Sequence, residues 1–172
     1  MRPDCLDRFH DAAEAVVVET LRKADKPILR LDAWMASRVI TMTIDEYRAR
    51  RGRCGAQQKP NVPQWLRREL QDDPWLVALA LAILTWVGIP DVAGPGMWPA
   101  DSWAIRRVAI TGDHMKSDTA VVWREIEHVL AIMRRRSDWY TKYVERPLGH
   151  KHIAKSPAIR TADGAFLEPA PM

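Results

Sequence analysis

Hydrophobic spacing divides the chain into helical stripes separated by short polar or Pro/Gly-rich breaks, and one stretch departs from that pattern. The segment DPWLVALALAILTWVGIP, residues 73 to 90, is apolar on every side, with Leu79, Leu81 and Ile83 pointing in different directions around a helix. Asp73 supplies an N-cap carboxylate, and Pro74 suits the first helical position, where a missing N–H costs nothing. At the other end Gly88 suits a left-handed position, Ile89 the apolar contact after it, and Pro90 forbids continuation. A helix that is apolar all round is a core helix or a membrane span. At about 1.5 Å per residue this one is roughly 20 Å long, short of the ~30 Å hydrocarbon thickness. It is predicted to be the buried central helix of an all-α domain, with no membrane contact.

Six or seven helices are expected to pack round it. From Asp4 to Ala24, Leu6, Phe9, Ala13, Val16, Val17 and Leu21 form a helical stripe. Asp25-Lys26-Pro27 breaks it, and a second stripe follows with Ile28, Leu31, Met35 and Val39. VITMTI, residues 39 to 44, suits either a helix end or a short strand. Thr43 and Glu46 have capping-box spacing, which predicts a separate short helix to Arg51, stopped by Gly52. A polar loop runs to Val62, and Pro63 opens a short helix with Trp65, Leu66 and Leu70. Residues 88 to 100, with three Gly and three Pro, read as a rigid crossover. Asp101 or Ser102 is expected to cap the next helix, whose Trp103, Ile105, Val108 and Ile110 make no single stripe. Gly112-Asp113 is a turn. Ser117 is expected to cap the best amphipathic helix, with Val122, Trp123, Ile126, Val129, Leu130 and Met133 on one face. A further turn or two through Trp139 and Tyr143 ends at Pro147. The expected organisation is a single helical domain over 1–146 and an extended basic tail over 147–172, with a short hairpin at Asp163-Gly164.

Composition supports a globular reading: 47% of residues are apolar and 28% charged, so neither metal nor disulfide is needed for a core of this size. Most of the eight Trp are expected in the core. Cys5 and Cys54 have no ligand-spaced neighbours, and the polar start of the chain is unlike a signal peptide. Both features point to a cytoplasmic protein with free thiols.

Charge distribution changes the picture more. No acid falls between Glu46 and Glu69, while Arg48, Arg50, Arg51, Arg53, Lys59, Arg67 and Arg68 are all basic. Several cations on one short segment suit phosphate neutralisation, and Tyr47 and Trp65, near its two ends, offer rings for base stacking. A second basic region, from Arg134 to Arg160, carries Arg134, Arg135, Arg136, Lys142, Arg146, Lys151, Lys155 and Arg160 against only Asp138 and Glu145. A solvated surface whose arginines pair with acids such as Asp4, Asp7 and Asp11 is the bland alternative. Leu29 to Arg51 also admits a helix-turn-helix reading with Ile44 to Arg51 as recognition helix, although no Gly marks the turn.

Other chemistry is sparse. His150 and His152 form an HxH pair and Asp113 stands beside His114, but no third ligand has diagnostic spacing, so no metal and no cofactor are expected. No phosphate-binding loop, nucleophile elbow or metalloprotease motif occurs. Arg107 and His114, with six residues between them, resemble the Arg-x4–6-His pattern of HEPN-type helical ribonucleases. The resemblance covers those two residues, Gly112 interrupts the helix that carries them in the family, and no function is taken from it. The expectation is a non-enzymatic protein that binds DNA or RNA through its two basic segments. The alternative is a protein-interaction module, an adaptor or inhibitor, whose basic face meets an acidic protein surface.

Overall fold

The computed structural model describes residues 3–23, 28–89, 91–92, 96–113 and 118–153. The described residues are all-α apart from one minimal strand pair. In order it forms α1 (Pro3–Arg22), α2 (Leu31–Arg53), α3 (Gln64–Glu69), α4 (Pro74–Val87), β1 (Asp91–Val92), α5 (Ala100–Thr111) and α6 (Thr119–Arg134). It ends in an unbroken run of α7 (Ser137–Tyr140), a π-helical turn (Thr141–Glu145) and α8 (Arg146–Leu148), followed by β2 (His152–Ile153). Counting that run once gives seven helices among the described residues. The strands pair in parallel, Asp91 with His152 and Val92 with Ile153. The hairpin expected at Asp163-Gly164 lies outside the described residues.

One cluster of buried side chains runs from Val62 to Val144 and is shared by α3 to α6 and the π turn. Helix α4 contributes Trp75, Leu79, Ala80, Ala82, Ile83, Leu84 and Val87, and packs against α5, α6 and the π turn. It is not enclosed on every side. Leu76, Val77, Leu81 and Trp86 are half-buried, so one edge of the apolar helix lies at the margin of the core. Its start follows the sequence: Asp73 Oδ1 accepts from the Leu76 N–H at 2.8 Å. Its end does not. Gly88 has φ −88°, an ordinary right-handed value, so it is not a left-handed cap. A Cβ there would fall 2.5 Å from Cζ of Arg51, so this glycine is required by a close approach. Of the eight Trp, Trp75, Trp98 and Trp103 are buried, and Trp65, Trp86 and Trp139 pack against the same cluster.

The N-terminal third differs from its sequence expectation. Residues 31 to 53 form one helix, so there is no strand at VITMTI and no helix-turn-helix. Thr43 does not cap: its hydroxyl donates to the Val39 carbonyl one turn back, at 2.8 Å. With no Gly or Pro between Leu31 and Arg51, nothing stops propagation. Helices α1 and α2 pack on each other as a hairpin, tied by an Arg38–Glu19 ion pair. Trp34 lies under Lys23 and Arg38. Of the predicted apolar faces, Ala13, Ile28 and Met35 are half-buried. Val16 is buried, but Val17, Leu21, Leu31, Val39, Ile40 and Ile44 are exposed.

Smaller corrections concern the helix starts. Pro99 occupies the position before α5, and Asp101 lies in the first turn, accepting from Thr119 Oγ1 at 2.7 Å. Asp118 caps α6, and Ser117 lies outside the described residues. Gly112 closes α5 in the left-handed region, φ 70°, as its place in a turn implies. Ile105 and Ile110 of α5 are exposed. No described helix is long and apolar enough to cross a membrane.

Candidate nucleic-acid interface

Two basic stretches distant in sequence meet where α3 packs against the end of α6. Arg135 Nη1 donates to Glu69 Oε2 at 2.7 Å, joining positions 66 apart in the chain. The next residue, Arg136, lies with its guanidinium carbon 4.4 Å from the ring centroid of Trp65. Trp65 in turn meets Trp139 edge-on, centroids 5.3 Å apart at 88°, and Trp139 leads to Tyr143 at 5.6 Å. Lys142 Nζ lies 5.1 Å from the Tyr143 centroid. The result is a run of three half-buried rings interleaved with cations.

The local sequence explains this placement. Pro63 fixes an extended entry, so α3 begins one residue before Trp65 and turns Leu66 into the core. Residues 139 and 143, and 142 and 146, are each one turn apart, and the π turn carries Lys142 and Tyr143. The loop after α2 reaches the same helix at Gly55, where a Cβ would stand 3.2 Å from Cδ of Arg146.

The expected site residues divide into three groups. Lys59, Arg67, Arg68, Arg136 and Lys142 are exposed and form no ion pair among the described residues. A second group is exposed or half-exposed but paired. Arg48 meets Asp45 at 3.3 Å, Arg50 and Arg53 share Glu46 at 3.5 and 3.0 Å, and Arg135 meets Glu69. These acids come from α2 and α3, and the pairs on α2 need only its helical spacing. The Arg53 hydrogen bond, with Arg50 beside it, holds the Glu46 carboxyl below the usual range. Arg134 bonds Tyr140, with Glu127 at 3.6 Å, and is held above its ordinary value chiefly by that Tyr140 bond.

The third group is turned inward, and here the sequence reading is corrected. Arg51 has no solvent exposure. Its Nε donates to Gln57 O, Nη1 to Thr85 O and Nη2 to Leu84 O, each at 2.7 Å. These carbonyls include the unpaired ones at the end of α4, which an arginine satisfies with both bonds and charge. Lys151 does similar work: Nζ donates to Ile89 O at 2.7 Å and lies 4.1 Å from the Trp86 ring centroid. Neither is a surface cation. Lys155 lies outside the described residues, as does His114.

Trp139 and Tyr143 belong to this face and were not among the expected residues, whereas Arg146 of the second basic region is exposed on the helix that follows them. Their four-residue spacing was visible, but only the approach of α3 gives it a partner. Among the described residues no three His, Cys, Asp or Glu side chains gather as a metal site. Cys54 is a free, half-buried thiol that donates weakly to Arg51 O at 3.2 Å. No family model matches the chain, and neither a curated protein nor a solved structure resembles it detectably.

Proposed function

We propose that the chain is a non-enzymatic nucleic-acid-binding protein whose contact face is α3 together with the α6–α7 junction. The observation that carries this reading is the Arg136–Trp65 contact. It joins two basic segments into one surface on which aromatic rings and unpaired cations alternate. Cations without acid partners release counterions when they meet phosphates, and ring faces between them suit bases. The face is narrower than the sequence suggested. It rests on Arg67, Arg68, Arg136, Lys142 and Arg146, while Arg48, Arg50 and Arg53 are partly neutralised on α2. Fluorescence anisotropy of mixed-sequence DNA and RNA with the folded protein tests it. Binding at low salt that is lost when Arg67, Arg68 and Arg136 become Gln supports the face, and no detectable binding overturns the function.

A second reading, an adaptor for an acidic protein partner, is favoured by a different observation. On α2 the exposed Ile40, Ile44 and Tyr47 recur on one side of the helix, with Arg48 close by. An acidic partner with an apolar strip would match that surface. In that case Ile40→Glu and Ile44→Glu would abolish partner capture while leaving nucleic-acid binding unchanged.

A further inference from the structure

A cavity of about 410 Å³ lies between the N-terminal end of α4 and the facing sides of α5 and α6. Its polar lining includes Asp73, Arg107, Thr111, Arg124, Glu125 and His128. None of these belongs to the basic–aromatic face. At its centre Arg107 Nε lies 3.0 and 3.1 Å from the two oxygens of Glu125, and Trp75 Nε1 donates to Glu125 Oε2 at 2.7 Å. Glu125 is therefore engaged on both oxygens, and it holds Arg107 by the inner nitrogen alone. The outer nitrogen Nη1 is buried and donates to nothing among the described residues. Leaving a buried guanidinium donor unmatched is costly, and the group calls for an acceptor.

The surroundings indicate what kind of acceptor. A guanidinium fork fits the paired oxygens of an oxyanion. Arg124 and His128 stand one turn apart on α6, exposed, and without an ion pair among the described residues. The start of α4 faces the same space and adds roughly half a positive charge. Against Arg107 and Arg124 stand Glu125 and Asp73, the latter already bonded to Leu76 N. The balance is slightly positive, which suits one negative charge better than two. Trp75, Leu76 and Val121 supply an apolar wall.

We propose that this cavity binds a small organic carboxylate: its oxygens lie against the Arg107 guanidinium where that residue lines the cavity, Arg124 and His128 flank them, and its apolar body rests on Trp75 and Leu76.

Benzoate, phenyl phosphate and the neutral benzamide are suitable probes, titrated calorimetrically into the whole folded chain. Benzoate is expected to bind one-to-one and more tightly than phenyl phosphate, with benzamide silent. Arg124→Gln should weaken benzoate about tenfold without changing the melting temperature, as loss of one charge-assisted contact does. Arg107→Lys keeps the charge and removes the fork, and should abolish saturation. Because that variant also disturbs Glu125, the Arg107 Nε–H and Trp75 indole resonances provide a second readout in the wild type, and both should move with benzoate. Absence of saturable binding overturns the proposal, as does tighter binding of phenyl phosphate. Binding that shifts the Trp65 and Trp139 indoles and ignores Arg124→Gln places the anion on the basic face, and overturns it too.

Discussion

At Arg51 a guanidinium is held without solvent exposure among three carbonyls, and the cost of burying its charge is offset only while all three bonds persist. Arg51→Gln cannot reach the same set. It should destabilise by about 3 kcal/mol or more in a urea melt, the range for losing buried charge-assisted bonds. Gly88→Ala should cost about 1–3 kcal/mol by pushing a methyl into that guanidinium. Sequence could not reveal this pairing, because an arginine in an acid-free run looks like any other surface cation until α4 is placed beside it. Glu46 gives a residue-scale test of pH. Its carboxyl is held low in the folded state, so its small stabilising contribution is present above the unfolded pKa and fades as pH falls through the folded value. A carbon-detected titration should show the Glu46 midpoint rising towards the ordinary value in Arg53→Gln, since that arginine supplies the largest cause.

At the scale of elements, what could be read in advance were the features that depend on neighbours in sequence. Asp73, Pro74, Pro63 and Gly112 mark their helix ends where local chemistry puts them, and the α6 stripe from Val122 to Met133 is buried apart from the rim position of Trp123. What failed were features decided by tertiary contact. The Thr43–Glu46 spacing imitates a cap, yet helix propagation through residues of fair propensity wins, and Glu46 is spent on Arg50 and Arg53. Leu31 and Val39 have helical spacing, but α2 packs chiefly on α1 and reaches α4 through Arg51 near its far end, so that hairpin leaves them exposed. Helix α4 shows the same limit, since apolarity all round did not reveal which edge stays at the margin. Ile83→Ala, fully buried, should cost about 2–5 kcal/mol. Trp86→Ala should cost less per atom removed, because Trp86 is half-buried and its indole bonds the Met97 carbonyl at the surface. The link between α3 and α4 offers the opposite sign. Gln71 and Asp72 have φ of 56° and 52°, so Gln71→Gly should stabilise by about 1 kcal/mol by relieving left-handed strain. A loss of stability in the melt would mean that the Gln71 side chain makes a compensating contact.

For the whole molecule a formal charge of +4 says little, because the fold decides which cations remain available. Arg51 and Lys151 are spent on the carbonyls around the end of α4, and Arg48, Arg50, Arg53 and Arg135 face acids. Five cations without such partners among the described residues lie on the elements that carry the Trp65–Trp139–Tyr143 run or directly follow it: Arg136 and Lys142 against its rings, and Arg67, Arg68 and Arg146 exposed on α3 and α8. If each meets one phosphate, the log–log salt dependence on a single strand should have a slope of about −3 to −4. Converting Arg67, Arg68 and Arg136 to Gln should flatten it by about 2 and weaken binding to all sequences alike. The same exchange at Arg48, Arg50 and Arg53 removes cations that Asp45 and Glu46 already partly neutralise, leaving about one net charge, and should change the slope by less than about 1. Arg51 must be left intact in that comparison, since its loss would unfold the root of α2 and confuse binding with folding. A reversed outcome, with the α2 variant flattening the slope more than the α3–α6 variant, would move the contact face to the α1–α2 hairpin. Mixed-sequence RNA and DNA strands measured from low to physiological salt distinguish the two surfaces, because the slope counts the phosphates that each one engages.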